Sequence, residues 1–196
     1  MKKTISMLLL VAICVIALAS CGGDSAVNAE TFQNAVNNTN PTKVTINTTT
    51  TDALGELKGS FIATFAEDGS STIAYSYEKW LPIGEGEADE LKKTYSGTVT
   101  CDANGNYSGD DLDGVIGDIS NAVAINLKAI TSAVTISEDE TTLTATVAKA
   151  ETKAVFGAEY AYDVNLTVVK GESAIESITM TFTNGGTSAE IFAKYE

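Results

Sequence analysis

The sequence predicts an α+β fold: one curved antiparallel sheet of about eight to ten strands, with a short N-terminal helix and one amphipathic helix in mid-chain. Three observations carry this. From Lys43 onward apolar residues recur with period two in almost every segment. Turn chemistry, such as Glu67-Asp68-Gly69 and Asn184-Gly185-Gly186, separates those segments. A single stretch, 111–130, instead carries its apolar residues at helical spacing.

Taken in order, Ala29, Phe32 and Val36 predict a short helix from about Ser25 to Asn38, stopped by the Asn-rich segment and Pro41. The alternative for its first part is a flexible tether. "KVTINTTT" then places Val44, Ile46 and Thr48 on one face, and "LKGSFIATF" does the same for Leu57, Gly59, Phe61, Ala63 and Phe65. "STIAYSYEKW" aligns Ile73, Tyr75 and Tyr77. After the acidic connection "LPIGEGEADE", the strand "KKTYSGTVTC" puts Tyr95, Val99 and Cys101 on one face, with Cys101 read as a buried packing residue. The helical stripe comprises Leu112, Val115, Ile116, Ile119, Ala122, Val123, Leu127 and Ile130, entered through Asp110 and Asp111 at its positive end. Strands resume as a hairpin turning at Glu138-Asp139-Glu140, a second turning at Lys170-Gly171-Glu172, and a last strand after the Asn-Gly-Gly turn; Tyr160 and Tyr162 fall on the predicted strands. No tandem repeat or low-complexity linker interrupts this order.

The first twenty residues stand apart. A short positive start, Met1-Lys2-Lys3, is followed by "ISMLLLVAICVIALAS", an apolar run too short and too early for a permanent span, so it reads as an export signal. Leu18-Ala19-Ser20-Cys21 resembles the lipobox of bacterial lipoproteins. That resemblance implies a thioether from Cys21 to diacylglycerol and cleavage before Cys21. The expected organisation is a lipoprotein signal over 1–20, a lipidated tether over 21–27 and a single domain over 28–196. Two acyl chains hold a protein at a membrane where one detaches, each buried methylene adding about 0.8 kcal/mol. The expected location is therefore a cell membrane, lipid-anchored and facing away from the cytoplasm.

Composition narrows the function. The chain carries 26 carboxylates, 12 lysines and neither histidine nor arginine, for a net charge of −14. Loss of Lys2 and Lys3 with the signal leaves 10 lysines against 26 acids, a balance of −16. No basic patch is available to release counterions from a polyanion, so nucleic acid is not expected as a partner. Without histidine, Ser-His-Asp and Cys-His catalysis and histidine-containing zinc sites are excluded; without arginine, so are guanidinium forks. Neither GxGxxG nor GxxxxGK[ST] occurs. The dense carboxylates at 85–90 and 138–140 lie in predicted loops, where solvated charge is their ordinary role. No enzymatic activity and no cofactor are expected.

Two stretches invite a site. In "DANGNYSGDDLD", Asp102, Asn104, Asn106, Ser108, Asp110 and Asp113 match the oxygen spacing of a calcium loop, but Tyr107 stands where the sharp turn needs glycine and a strand precedes the loop. A hairpin turn at Asn104-Gly105 and a helix start at Asp110-Asp111 fit better. In "YEKWLPIGEGEADE", Trp80, Leu81 and Ile83 are apolar residues in an acidic connecting loop; Trp80 either meets a greasy ligand or bilayer or closes the end of the core.

The order of small helix, antiparallel strands, mid-chain amphipathic helix and further strands ending in "IESITMTFTNGGTSAEIFAKYE" resembles the LolA-like and LppX-like lipoprotein-carrier families over most of residues 28–196. The resemblance implies a half-open barrel holding acyl chains between sheet and helices. The soluble carrier's release mechanism depends on arginine, which this chain lacks, so none of its functional residues is carried over. On the membrane-attached LppX-like pattern, the candidate lining is Phe61, Phe65, Ile73, Tyr75 and Trp80 from the strands, with Leu112, Ile116, Ile119 and Val123 from the helix. Three readings follow: a membrane-anchored protein binding a lipid or other hydrophobic ligand, a structural or protein-contact module of the envelope with a solid core, and a calcium-stabilised domain.

Overall fold

The computed structural model describes residues 26–82, 90–104, 106–109 and 125–196. Ten strands form one open antiparallel sheet: β1 Lys43–Asp52, β2 Gly55–Phe65, β3 Ser71–Pro82, β4 Glu90–Cys101, β5 Tyr107–Gly109, β6 Val134–Ile136, β7 Thr142–Val147, β8 Val164–Lys170, β9 Ile175–Asn184 and β10 Thr187–Tyr195. Their spatial order is β5-β4-β3-β2-β1-β10-β9-β8-β7-β6. The sheet is thus two five-strand meanders joined where β1 pairs with β10, Val44 opposite Tyr195 and Thr48 opposite Ile191. Two short helices accompany it, α1 Ala26–Asn38 and α2 Thr152–Phe156.

Local chemistry explains most boundaries. Asp52 turns β1 into β2, its carboxylate accepting from the backbone N–H groups of Leu54 (2.8 Å) and Gly55 (3.2 Å). Asp68 does the same between β2 and β3, accepting from the N–H and hydroxyl of Ser70. Gly185 and Gly186, at φ 54° and 94°, make the two-residue turn between β9 and β10, whose handedness matches the strand twist and which only glycine adopts without strain. The Thr39 hydroxyl donates to Ala35 O (2.7 Å) in the last turn of α1 and accepts from Ile175 N (2.8 Å), tying the helix end to the start of β9.

Strand registers bring most apolar alternations to one side, here the inner face. α1 packs on that side over β8 and β9. Phe32 of α1, fully buried, joins Leu143, Val164, Leu166 and Val168 in one core cluster. Val44, Ile46, Phe61, Tyr75, Val99 and Ala193 form a second under the other half of the sheet. Each large apolar side chain removed from water contributes about 1.5–3 kcal/mol. The outer face is largely threonine and serine, residues such as Thr72, Thr98, Thr100 and Thr144 suiting an exposed β surface.

Three expectations are corrected, and one helix goes beyond them. Ile125 to Ile130, the end of the predicted mid-chain helix, is not α-helical: Asn126, at φ −104° and ψ 87°, is outside the helical region, Leu127–Ala129 is a single 3₁₀ turn and Ile130 is extended. Leu127 and Ile130 are buried against α1 rather than continuing a helix stripe; the rest of that stripe lies outside the described residues. Tyr160 and Tyr162 are not on a strand but precede β8, edge-on and stacked with Phe156 and Phe182 respectively. α2 and the 3₁₀ turn Lys149–Glu151 before it were not anticipated, because five residues cannot display a helical period. Cys101 is half-buried rather than buried, its thiol donating to Asp102 O at 3.6 Å.

Candidate functional site

On the inner face, β3 and β4 build a ladder of directly opposed pairs. From the core outward the rungs are Ile73–Val99, Tyr75–Gly97, Tyr77–Tyr95, Lys79–Lys93 and Leu81–Leu91. Ile73 (1% exposed) and Tyr75 (8%) are buried, and the Tyr77 and Tyr95 rings stack with centroids 5.3 Å apart and planes at 16°. β2 adds Phe61 opposite Tyr75 and Gly59 opposite Tyr77. Gly59 permits close approach: a Cβ there would lie 2.6 Å from Thr48 Oγ1 and 3.2 Å from the Phe61 ring.

The lysines of β2, β3 and β4 divide by face. On the outer face Lys92 pairs with Glu78 (3.2 Å) and Lys58 with Glu56 (3.0 Å). The backbone N–H of Lys58 and then the Lys92 ammonium hold the Glu78 carboxyl below its ordinary value, while Glu56 raises Lys58. On the inner face Lys79 and Lys93 are opposed to each other and neither has an acidic partner among the described residues. The Lys93 ammonium sits 5.0 Å from the centre of the Tyr95 ring, a cation–π contact at the border of the aromatic rung.

At the other half of the sheet, Gln33 of α1 is buried and its carboxamide grips the chain at 125–127, accepting from Leu127 N (2.7 Å) and donating to Ile125 O (3.3 Å). Burial pushes the Tyr195 hydroxyl well above its ordinary range, and Tyr160 in the same direction.

Of the sequence-predicted lining, Phe61 and Tyr75 come together, with Phe65 half-buried against the same cluster, and Ile73 is buried on the same face of β3. Trp80 does not join them. It lies in β3 rather than in a connecting loop, and an odd number of residues separates it from Ile73, so it occupies the outer face opposite Lys92. Its indole N–H is buried with no partner among the described residues. Leu112, Ile116, Ile119 and Val123 lie outside the described residues, as do Cys21 and the whole of 1–20.

Asp102, Asn104 and Asn106 form the turn between β4 and β5, where the Asp102 carboxylate accepts from Asn104 N, Asn106 N and Asn106 Nδ2. These bonds, the Asn106 side chain first, hold the Asp102 carboxyl below its ordinary value. Ser108 is instead in β5, hydrogen-bonded across to Thr100 at 2.7 Å, and Asp110 and Asp113 are outside the described residues. Among the described residues no group of three or more Cys, Asp or Glu side chains is placed to hold a metal.

Sequence reasoning placed Tyr77 with Ile73 and Tyr75, and Tyr95 with Val99, but missed Lys79 and Lys93 as further members of that face and the pairing of the two strands across it. The signal was present in the alternation Tyr75-Tyr77-Lys79, but the glycine- and proline-containing segment that follows suggested an earlier strand end. Chemically, the arrangement offers an apolar wall, an aromatic collar and two ammonium groups without an acidic partner among the described residues. Among the described residues no helix is long and apolar enough to cross a membrane. No family model matches the chain, and no curated protein matches it.

Proposed function

We propose that this chain is an exported lipoprotein, held at a membrane by acyl chains on Cys21, whose domain forms a half-open barrel and binds a lipid or other hydrophobic ligand against the inner face of the sheet. The observation that carries the reading is the apolar inner face itself. It extends through β1 to β4 as well as β6 to β10, while α1 packs over β8 and β9. Apolar side chains on this scale are what an acyl chain packs against, and the half-buried Phe65, Tyr77 and Ile191 beside the buried cluster are the ones a ligand can reach. The sequence Leu18-Ala19-Ser20-Cys21 supports the anchor.

Two measurements test it. Labelled palmitate is expected on the expressed chain and absent from Cys21→Ser, which should also leave the membrane fraction; an unlabelled parent refutes the anchor. Native mass spectrometry of Cys21→Ser is expected to show co-purified lipid. Repeated ligand-free spectra favour the second reading, an envelope module with a solid core, for which the close packing of Gly59 against Thr48 and Phe61 speaks.

A further inference from the structure

Several turns of this sheet are tied down by a carboxylate. Asp52, Asp68, Asp102 and Asp139 each accept from the backbone N–H two residues on, at Leu54, Ser70, Asn104 and Thr141. The turn between β9 and β10 is built differently. Asn184 stands at its entry, followed by Gly185 and Gly186, and all three are exposed. The Asn184 carboxamide makes no hydrogen bond among the described residues. A Cβ added at Gly185 or Gly186 would meet nothing within 4 Å, so no neighbour crowds this peptide. Lacking a side chain, Gly185 leaves its nitrogen open to the amide carbon of Asn184, and an exposed turn tip opens locally at little cost.

We infer that Asn184-Gly185 is a site of spontaneous covalent modification whose only co-reactant is water. The Gly185 nitrogen bonds to Asn184 Cγ, the Cγ–Nδ2 bond breaks, and Nδ2 leaves as ammonia with the proton that Gly185 gives up. Water then opens the succinimide ring at either carbonyl. Opening at Cγ yields aspartate; opening at the main-chain carbonyl yields isoaspartate, which carries the chain through Cβ and Cγ and lengthens it by one atom. Either product adds a negative charge to a chain already at −14. The isoaspartate also alters the hairpin. Asn184 faces Thr187 in the pair that closes the turn, and Ser188 in the next pair, opposite Thr183, is also opposite Thr51 of β1. A longer entry no longer fits the register that a two-residue turn fixes, so the change reaches the seam between the two meanders.

The test incubates the full chain carrying Cys21→Ser at mildly alkaline pH, folded and in urea, and follows released ammonia and the mass of the peptide containing Asn184. A gain of about 1 Da at Asn184 is expected, at a folded rate within about tenfold of the rate in urea. Asn184→Gln, whose longer side chain disfavours the ring, should lose the signal at this peptide. The isoaspartate fraction should melt at least about 2 °C below the parent, whereas freshly prepared Asn184→Asp, with the charge but not the longer chain, should melt with it. A folded rate more than about a hundredfold below that in urea overturns the proposal, as does conversion confined to the other such step, Asn104-Gly105. An isoaspartate fraction that melts with the parent overturns the effect on the hairpin.

Discussion

Replacing Gln33 with methionine tests what holds the chain where it returns to α1. Gln33 is 8% exposed and Leu127 1%, so the groups that meet there are screened from water. The carboxamide accepts from Leu127 N at 2.7 Å and donates to Ile125 O at 3.3 Å and to Asn37 Oδ1 at 3.1 Å. Methionine preserves the unbranched shape and most of the volume, which keeps the packing change small. What is lost is the pairing of one buried N–H and one carbonyl. Each buried group left unpaired costs about 1–3 kcal/mol, and the longer bond to Ile125 O belongs at the low end, so the expected loss is about 2–4 kcal/mol. For a domain of this size about 1 kcal/mol moves Tm by about 2–4 °C, so a fall of about 4–16 °C should appear in thermal unfolding and the matching loss of stability in urea. Gln33→Glu supplies a further check. It keeps an acceptor for Leu127 N but sets a carboxylate against Ile125 O, so burial should raise its pKa. Its deficit relative to the parent should then be small below the unfolded carboxyl value near pH 4.3 and grow as pH rises through the raised folded value. A loss under about 1 kcal/mol for the methionine variant would refute the reasoning and assign the hold on 125–130 to the packing of Leu127 and Ile130 alone.

Gly59→Ala is expected to destabilise by about 1–3 kcal/mol, because the new methyl meets a stiff, buried Thr48 side chain, and Thr48→Ala in the same chain should recover much of the loss; additive effects in the double-mutant cycle would show that the two positions do not touch. Thr152→Val, nearly isosteric at a fully buried position, removes the hydroxyl that donates to Lys149 O (2.9 Å) and accepts from Tyr160 N (3.0 Å), so urea unfolding should register about 1–3 kcal/mol less stability. The carboxyl of Glu196 is lowered to about 2 by Lys194 and Lys43, which approach to 2.7 Å and 2.6 Å. Since the folded value lies below the ordinary 4.5, that contribution is present above pH 4.5 and lost as pH falls toward 2. The Tm gap between the parent and Lys43→Met/Lys194→Met should accordingly be open at pH 6 and closed at pH 2, and a gap that persists at pH 2 contradicts the assignment.

Much of the fold is legible residue by residue. Alternation assigns Val44, Ile46, Phe61, Ile73 and Tyr75 to the buried side, and the turns at Asp68-Gly69 and Gly185-Gly186 fall where turn chemistry predicts them. The N-terminal helix, expected over 25–38, spans Ala26–Asn38. The errors are equally specific. Trp80 looked like a loop residue because proline and glycines follow it, yet hydrogen bonding to β4 carries the strand through Pro82. Tyr160 and Tyr162 fit a strand period but are drawn off it by packing on Phe156 and Phe182.

Strand faces, hairpin turns and the acidic, arginine-free character of the surface are written in short stretches of chain, because side-chain period and turn geometry involve only a few neighbours. The seam of β1 against β10 is different. It joins residues about 150 apart in the chain, as Val44 and Tyr195 are. So is the grip of Gln33 on residues 92 and 94 positions away. The opposition of Lys79 to Lys93 likewise exists only in the folded register. Such contacts depend on how whole elements close on one another, where the energy is shared among many residues and no single segment records the outcome.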